Sequence, residues 1–425
     1  MKLFKILCLA LVIISIGTSI GCSCSSEAEL IIDINESSRK GQISGEITVE
    51  GCEEECTLYF GDSSGSKLEG FTKIGSCKED KGYTLSGLII PPEAKTIVAD
   101  VKDSEDFFCE IPSKYLLDSD PYIFGALSDV HYNKYKATGE DDALVFFDHA
   151  LDFFEEKSVK MVGVTGDISN DGEESALVKF NEATKDRSYP VFTVTGNHDI
   201  PAYKNGLWEQ HITANVEDCI FADYGTDFVY APEEMGGDVF VFLNMVSWDY
   251  ADKHERALRG YQLNWLKSVL EEHKEDTVYL FFHLFMCGPD GQKHTGVGNI
   301  MNPGGYTYPI PFNYANADER IFRKYMQDYK NVVYFSGHSH WMFEMEIYGE
   351  QANYSNFDGT YCHMVHVPSV TEPRWIGEND TNRTGKNGEY SQGWIIYDYG
   401  DATVLVPVDF ISQTYYTEYM EIIYK

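Results

Sequence analysis

Five apolar runs in this chain each stop at an Asp, Asn or His. Residues 122–127 lead to Asp129 and His131, and 160–164 lead to Gly166 and Asp167. The run 191–194 leads to Gly196, Asn197, His198 and Asp199, 278–282 leads to His283, and 332–335 leads to Gly337, His338, Ser339 and His340. In an open α/β sheet, ligands bind outside the carboxyl ends of the strands. Five such strands would deliver these polar residues to one edge. Asp129, Asp167, Asn197, His131, His283, His338 and His340 then form a metal-ligand inventory of two carboxylates, one amide and four imidazoles. His198 is left over for chemistry. These donors suit Mn, Fe, Zn or Mg, and no thiolate is offered. Two cations about 3.5–4 Å apart can clamp a phosphoryl group and activate a water between them. An imidazole placed like His198 can protonate the ester oxygen that leaves. A lone Gly-Asp is usually a turn and a lone His usually a satisfied core residue, so the order of all five motifs carries the reading.

The elements that position these residues follow from hydrophobic period. Residues 141–157 place Leu144, Phe147, Leu151 and Phe154 on one helix face, and 175–185 and 262–274 repeat the idea. Strands alternating with helices argue an α/β unit with a layered sheet. Residues 404–410 and 418–424 read as closing strands. The stretch 286–313 is rich in Gly, Pro, Asn and Tyr without a period, which marks a functional rim beside His283. Its Tyr306, Tyr308 and Phe312, with Tyr314 just beyond, either wall a base or sugar or pack on one another; Asn299, Asn302 and His294 are weaker substrate contacts. Before residue 110 the pattern is short and β-like, with strands expected at 42–49, 57–60, 83–90 and 96–101. A small all-β sandwich of the immunoglobulin or fibronectin kind is the natural reading of 31–118.

Asp-x-His, Gly-Asp, Gly-Asn-His-Asp, a strand-end His and Gly-His-x-His in this order resemble the calcineurin-like metallophosphoesterase superfamily, over residues 121–425. Residues 166–172, running on to Gly-Asn-His-Asp, look most like its bacterial cyclic-phosphodiesterase-like branch. Purple acid phosphatases carry Gly where His131 stands and a Tyr ligand after Gly-Asp, and this chain has neither. The resemblance implies a four-layer β-sandwich flanked by helices and two divalent or trivalent ions. Asp129, His131 and His340 would hold one ion and Asn197, His283 and His338 the other, with Asp167 bridging. His198 would assist the leaving group, and Asp199 would orient it. The implied reaction is hydrolysis of a small phosphate ester by a metal-bridging hydroxide, diesters slightly favoured. The alternatives are a monoesterase, for which Arg256 and Arg259 are candidate cations, and a catalytically dead binding protein. His366 is a candidate pocket residue; His149, His211, His254 and His273 read as surface.

The net charge of −35 repels polyanions, so a nucleic-acid polymer is not an expected partner. Lys2 and Lys5 followed by an apolar stretch at 6–16 read as a signal peptide over 1–21. Ser19, Ile20, Gly21 and Cys22 resemble a lipobox, with Ser19 where an aliphatic residue is preferred. Cys22 would then be lipidated, 22–30 would be a tether, and the body would be a bacterial membrane-anchored lipoprotein outside the cytoplasm. Cys52, Cys56, Cys77 and Cys109 would be oxidised there, with three pairings open.

Overall fold

The computed structural model describes residues 24–79, 81–102, 105–117, 120–134, 140–248, 257–285, 317–343, 355–356, 362–375, 384–385 and 389–425. The expected leader at 1–21, Cys22, Arg256, His254 and the expected aromatic rim at 286–313 with Tyr314 lie outside these residues. Two compact units are present, Met1–Asp118 and Ser119–Lys425. Among the described residues no helix is long and apolar enough to cross a membrane.

Among the described residues the first unit holds seven strands and a 3-10 turn (Ser113–Tyr115): β1 (Cys24–Ile34), β2 (Gln42–Cys52), β3 (Cys56–Gly61), β4 (Gly75–Cys77), β5 (Tyr83–Ile89), β6 (Thr96–Val101) and β7 (Phe107–Glu110). One sheet runs β1-β2-β5 and the other β4-β3-β6-β7. Period 2 decides what is buried. On β2, Ile43, Ile47 and Val49 enter the core while Glu46 and Glu50 face water. Of the four cysteines expected to be oxidised, Cys52 is disulfide-bonded, while Cys56, Cys77 and Cys109 are free thiols in this structure.

The second unit begins with β8 (Tyr122–Leu127), α1 (Asp142–Glu156), β9 (Met161–Val164), α2 (Glu174–Thr184), β10 (Val191–Thr193), α3 (Ile200–Lys204) and α4 (Leu207–His211). There follow β11 (Ile220–Phe221), β12 (Phe228–Tyr230), β13 (Val239–Phe242), α5 (Gly260–Glu272), β14 (Val278–Phe281), α6 (Ala317–Asp328) and β15 (Val332–Ser336). The unit closes with β16 (Ser355–Asn356), β17 (His363–His366), β18 (Arg374–Trp375), β19 (Thr384–Gly385), β20 (Gln392–Asp398), β21 (Ala402–Asp409), β22 (Thr414–Tyr415) and β23 (Glu421–Tyr424). Each of the five motif-bearing runs is a strand, within one residue at either end.

Two mixed seven-stranded sheets form. One follows β10-β9-β8-β20-β21-β22 with β23 on β21, and the other follows β11-β12-β13-β14-β15-β17-β16. Alternation on these strands builds two cores at once. Phe240, Phe242, Tyr279, Phe281, Val333 and Phe335 turn inward to meet Phe124, Ala126, Trp394 and Ile396 of the first sheet. Their neighbours Val239, Val241, Val278, Leu280 and Val332 turn outward onto Leu263, Leu266, Leu270, Phe322 and Met326 of α5 and α6. On the first sheet, Phe154 of α1 packs over Gly125. The unit is therefore helix, sheet, sheet, helix. One helix expectation is corrected: Leu144 is 41% exposed, because the buried stripe of α1 centres on Phe147 and Ala150 and leaves Leu144 past its edge. The last strand is also shorter than expected, since residues Thr417–Tyr419 form a 3-10 turn before β23.

Candidate metal centre

β8, β9 and β10 are parallel neighbours in one sheet, as are β13, β14 and β15 in the other, so their carboxyl ends share an edge. Backbone bonds then join the loops that leave them. Asp129 N–H donates to Gly166 O at 3.0 Å, His131 N–H to Asp167 O at 2.9 Å, and Gly337 N–H to His283 O at 3.0 Å. Close approach explains Gly337: a Cβ there would lie 1.7 Å from Ser128 Oγ and 2.7 Å from Asp129 Oδ2.

The side chains gather in two groups with one shared member. Asp129, His131, Asp167 and His340 present donor atoms within 4.8 Å of one another, and so do Asp167, His283 and His338. In the first group, His340 Nε2 lies 3.1 Å from Asp129 Oδ1 and 3.1 Å from His131 Nε2. In the second, His283 Nε2 lies 3.1 Å from both Asn197 Oδ1 and His338 Nδ1. Asp167 Oδ2 stands 3.6 Å from His131 Nε2 and 3.3 Å from His283 Nε2, so a single oxygen faces both groups. All seven expected ligands are thus brought together.

The donor set fits cations. Donors about 2.1 Å from one ion are spaced roughly 3.0–3.4 Å apart in octahedral or tetrahedral shells, close to the spacings seen. Asp129 Oδ2 is occupied by Ser128 Oγ–H and the His338 N–H, which leaves Oδ1 aimed at imidazole nitrogens. His283 Nδ1–H donates to Thr165 O at 2.9 Å and His340 Nδ1–H to Glu372 O at 3.1 Å. Those bonds fix which ring nitrogen faces the centre.

Electrostatics agree with this reading. Burial holds His131 and His338 well below the ordinary imidazole value, and His340 below it with Arg374 contributing, so these rings are neutral and able to ligate. Burial alone would raise Asp129 and Asp167, yet the facing imidazoles outweigh it and keep both carboxylates ionised. Burial would lower His283, but Asp167 dominates and pushes it up to about 9, so a cation held there would have to replace a proton.

His198 is half-buried, edge-on to His131 with ring centroids 4.8 Å apart. Its Nδ1 meets the carbonyl of Asn170, and its backbone N–H donates to Asp167 Oδ1 at 2.9 Å. The expected role of Asp199 is corrected here. Its carboxylate does not hold the His198 ring; it accepts the N–H groups of Ile168, Ser169 and Gly196 and the hydroxyl of Ser169. Asp199 therefore ties the Gly166–Asp167 loop to the Gly196–Asn197 loop. Burial and the nearby Asp167 push it up to about 6.

Sequence reading missed the segment after β17. Ser369 Oγ–H donates to Asp129 O at 2.9 Å, Thr371 Oγ1–H to Val130 O at 2.7 Å, and Val370 N–H to Ser128 O at 3.0 Å. Arg374 N–H donates to His340 O at 2.6 Å, and its guanidinium grips Glu372. The available signal was a polar run directly after a strand on the same sheet edge. Trp248 was also missed; its ring stands 5.5 Å from that of His338. His366 is buried and faces Ser339 Oγ at 3.1 Å, behind the ligands rather than among them. His149 is exposed, and His211 and His273 are half-buried on Glu174 and Asp276. Arg259 caps α5.

Residues 123–342 match the calcineurin-like phosphoesterase family, and the chain belongs to that family. It is similar in structure to a dimetal phosphatase from Danio rerio, at 15% identity and a TM-score of 0.49, over 72% of this chain and 99% of that one. The purple acid phosphatase PPD1 from yellow lupin (Lupinus luteus) seeds matches at 11% identity and a TM-score of 0.44, over 91% of this chain and 73% of that one. GAP50, the anchor in the inner membrane complex of Plasmodium, matches at 14% identity and a TM-score of 0.40, over 72% and 89%. No curated protein matches the chain.

Proposed function

We propose that this chain is a two-metal phosphoester hydrolase of the cyclic-phosphodiesterase-like branch, acting on small phosphodiesters. The observation that carries the two-metal reading is Asp167 Oδ2, one buried oxygen facing both ligand groups. Asp129, His131 and His340 would hold the first cation, Asn197, His283 and His338 the second, and Asp167 both. Bound cations supply Lewis acidity toward the phosphoryl oxygens and an activated water. The protein's own groups do the rest. Asn170 O fixes the His198 ring at Nδ1, which leaves Nε2 to meet the ester oxygen as it gains charge. Asp199 keeps the two ligand loops in register while this happens.

A phosphomonoesterase is the second reading, favoured by one cation. Lys134 follows His131 in a turn, where its N–H donates to His131 O at 3.2 Å. It lies within electrostatic reach of Asp129 and Asp167, and burial with neighbouring Arg374 lowers its pKa. A desolvated ammonium there suits a dianion. Glu372 pairs with Arg374 and lies within electrostatic reach of Lys134 as well. Turnover of bis-p-nitrophenyl phosphate against p-nitrophenyl phosphate by metal-stripped and Mn-, Zn- or Fe-restored protein decides the matter. Metal-dependent diester hydrolysis, lost in His198→Ala and Asn197→Ala, supports the first reading. Monoester turnover alone, with a raised KM in Lys134→Met, selects the second.

The same proposal includes export and lipidation at Cys22, supported by the basic start, the apolar stretch and the lipobox-like Ser19–Cys22 sequence. Membrane fractionation lost in Cys22→Ser is the expected result. The first unit would act as an immunoglobulin- or fibronectin-like spacer, a reading supported by its division into sheets of three and four strands.

A further inference from the structure

The first unit holds a pair of thiols that the proposed chemistry does not use. Cys56 opens β3, Cys77 ends β4, and the two are direct partners in the antiparallel register. Opposed residues in such a pair hold their Cβ atoms about 4.5–5.5 Å apart. A disulfide needs roughly 3.5–4.5 Å between Cβ atoms and Cα atoms within about 7 Å. A small closing shift therefore joins the two sulfurs without a change of register. The Cys56 thiol donates to Glu54 O at 3.7 Å, and the two thiols lie within electrostatic reach of each other. Both side chains are buried.

The other cysteines of the unit are poorly placed to intervene. Cys109 sits on β7 opposite Ile97 of β6, and β6 separates it from β3. Cys52 is already in a disulfide. We propose that Cys56 and Cys77 are the site of a further disulfide, which ties the edge strand β4 to β3.

The step balances with a small-molecule disulfide, such as oxidised glutathione, as the oxidant. The Cys56 thiolate attacks one sulfur of that disulfide and expels a glutathione thiolate. The Cys77 thiolate then attacks the Cys56 sulfur of the mixed disulfide and expels the second glutathione. Two protein thiols are oxidised, one glutathione disulfide is reduced, and the leaving thiolates take up the two protons. Cys56 is the better first nucleophile, because the Cys77 thiol beside it holds its pKa below the ordinary value, whereas Cys77 itself is pushed up. Access comes from β4, a three-residue strand at the sheet edge, whose opening costs little. Once closed, the bond restrains the intervening residues 57–76 and removes the edge strand's freedom to fray.

The test uses the full chain equilibrated in oxidised and reduced glutathione, alkylated while unfolded, and digested with trypsin and a glutamyl endopeptidase. Cleavage at Glu54, Glu55, Lys67 and Lys73 puts Cys52, Cys56 and Cys77 on separate peptides. The expected product is a Cys56–Cys77 linked pair, two hydrogen atoms lighter than its reduced peptides, with Cys109 alkylated. Oxidation should also raise the melting transition of this unit by about 10–20 °C in wild type but not in Cys56→Ser or Cys77→Ser. Alkylation of both cysteines in oxidised wild-type protein, or a link from either one to Cys52 or Cys109, overturns the proposal.

Discussion

Asp129, His131, Asp167, His338 and His340 all have φ between 51° and 69°. Each left-handed, non-glycine residue costs about 1 kcal/mol or more, and such outliers persist only where the surroundings over-determine them. Here the surroundings are the backbone bonds between loops and the acceptors behind them. Asp199 is the most heavily used of these acceptors. Its Oδ2 takes the Ile168 and Gly196 N–H groups, and its Oδ1 takes the N–H and hydroxyl of Ser169. Asp199→Asn must turn an NH2 toward one of those donor pairs. The expected loss is about 2–4 kcal/mol of stability, read by urea unfolding, with metal affinity falling alongside. His366 gives a pH prediction. Burial lowers it to about 4, from an ordinary value of 6.5. Its contribution is fully present above pH 6.5 and is lost as pH falls toward 4, by roughly 3 kcal/mol for a shift of this size. Urea unfolding across pH 4–7 should show that slope, flattened in His366→Gln.

At the scale of elements, the five strands were legible because each is a short apolar run cut off by a ligand, and their period-2 faces feed two cores. The clasp at 369–374 was not legible. Its hydroxyls bond carbonyls some 240 positions earlier in the chain, at Asp129 and Val130. No local period encodes such a pairing. The partner of His198 was hidden for a related reason: a backbone carbonyl, Asn170 O, leaves no side-chain signature. Helix faces were legible only to within one position, as Leu144 shows. The clasp predicts a graded effect. Thr371→Val keeps the shape and removes the bond to Val130 O. Affinity for the first cation should drop about 10–100-fold, with the second less affected, by calorimetric titration. Equal losses at both sites would argue against a clasp specific to the Asp129–His131 loop.

Across the whole molecule, two compact units with separate cores should respond separately to ligands. A cation that binds only the folded second unit stabilises that unit by mass action, about 2.7 kcal/mol at a hundredfold excess over Kd. Calorimetry should therefore show one transition moving up by about 5 °C or more with Mn or Zn, while the transition of the first unit stays in place. The net charge of −35 works against long polyanions, so under the proposed function small phosphate esters should be turned over in preference to nucleic-acid polymers. The central claim is that Asp167 joins two cation sites. Metal counting on the folded, desalted protein after reconstitution tests it most directly. The account predicts two ions per chain in wild type and fewer than one in Asp167→Asn that retains its circular dichroism spectrum. A single ion or none in wild type, or two ions retained in Asp167→Asn, would contradict it.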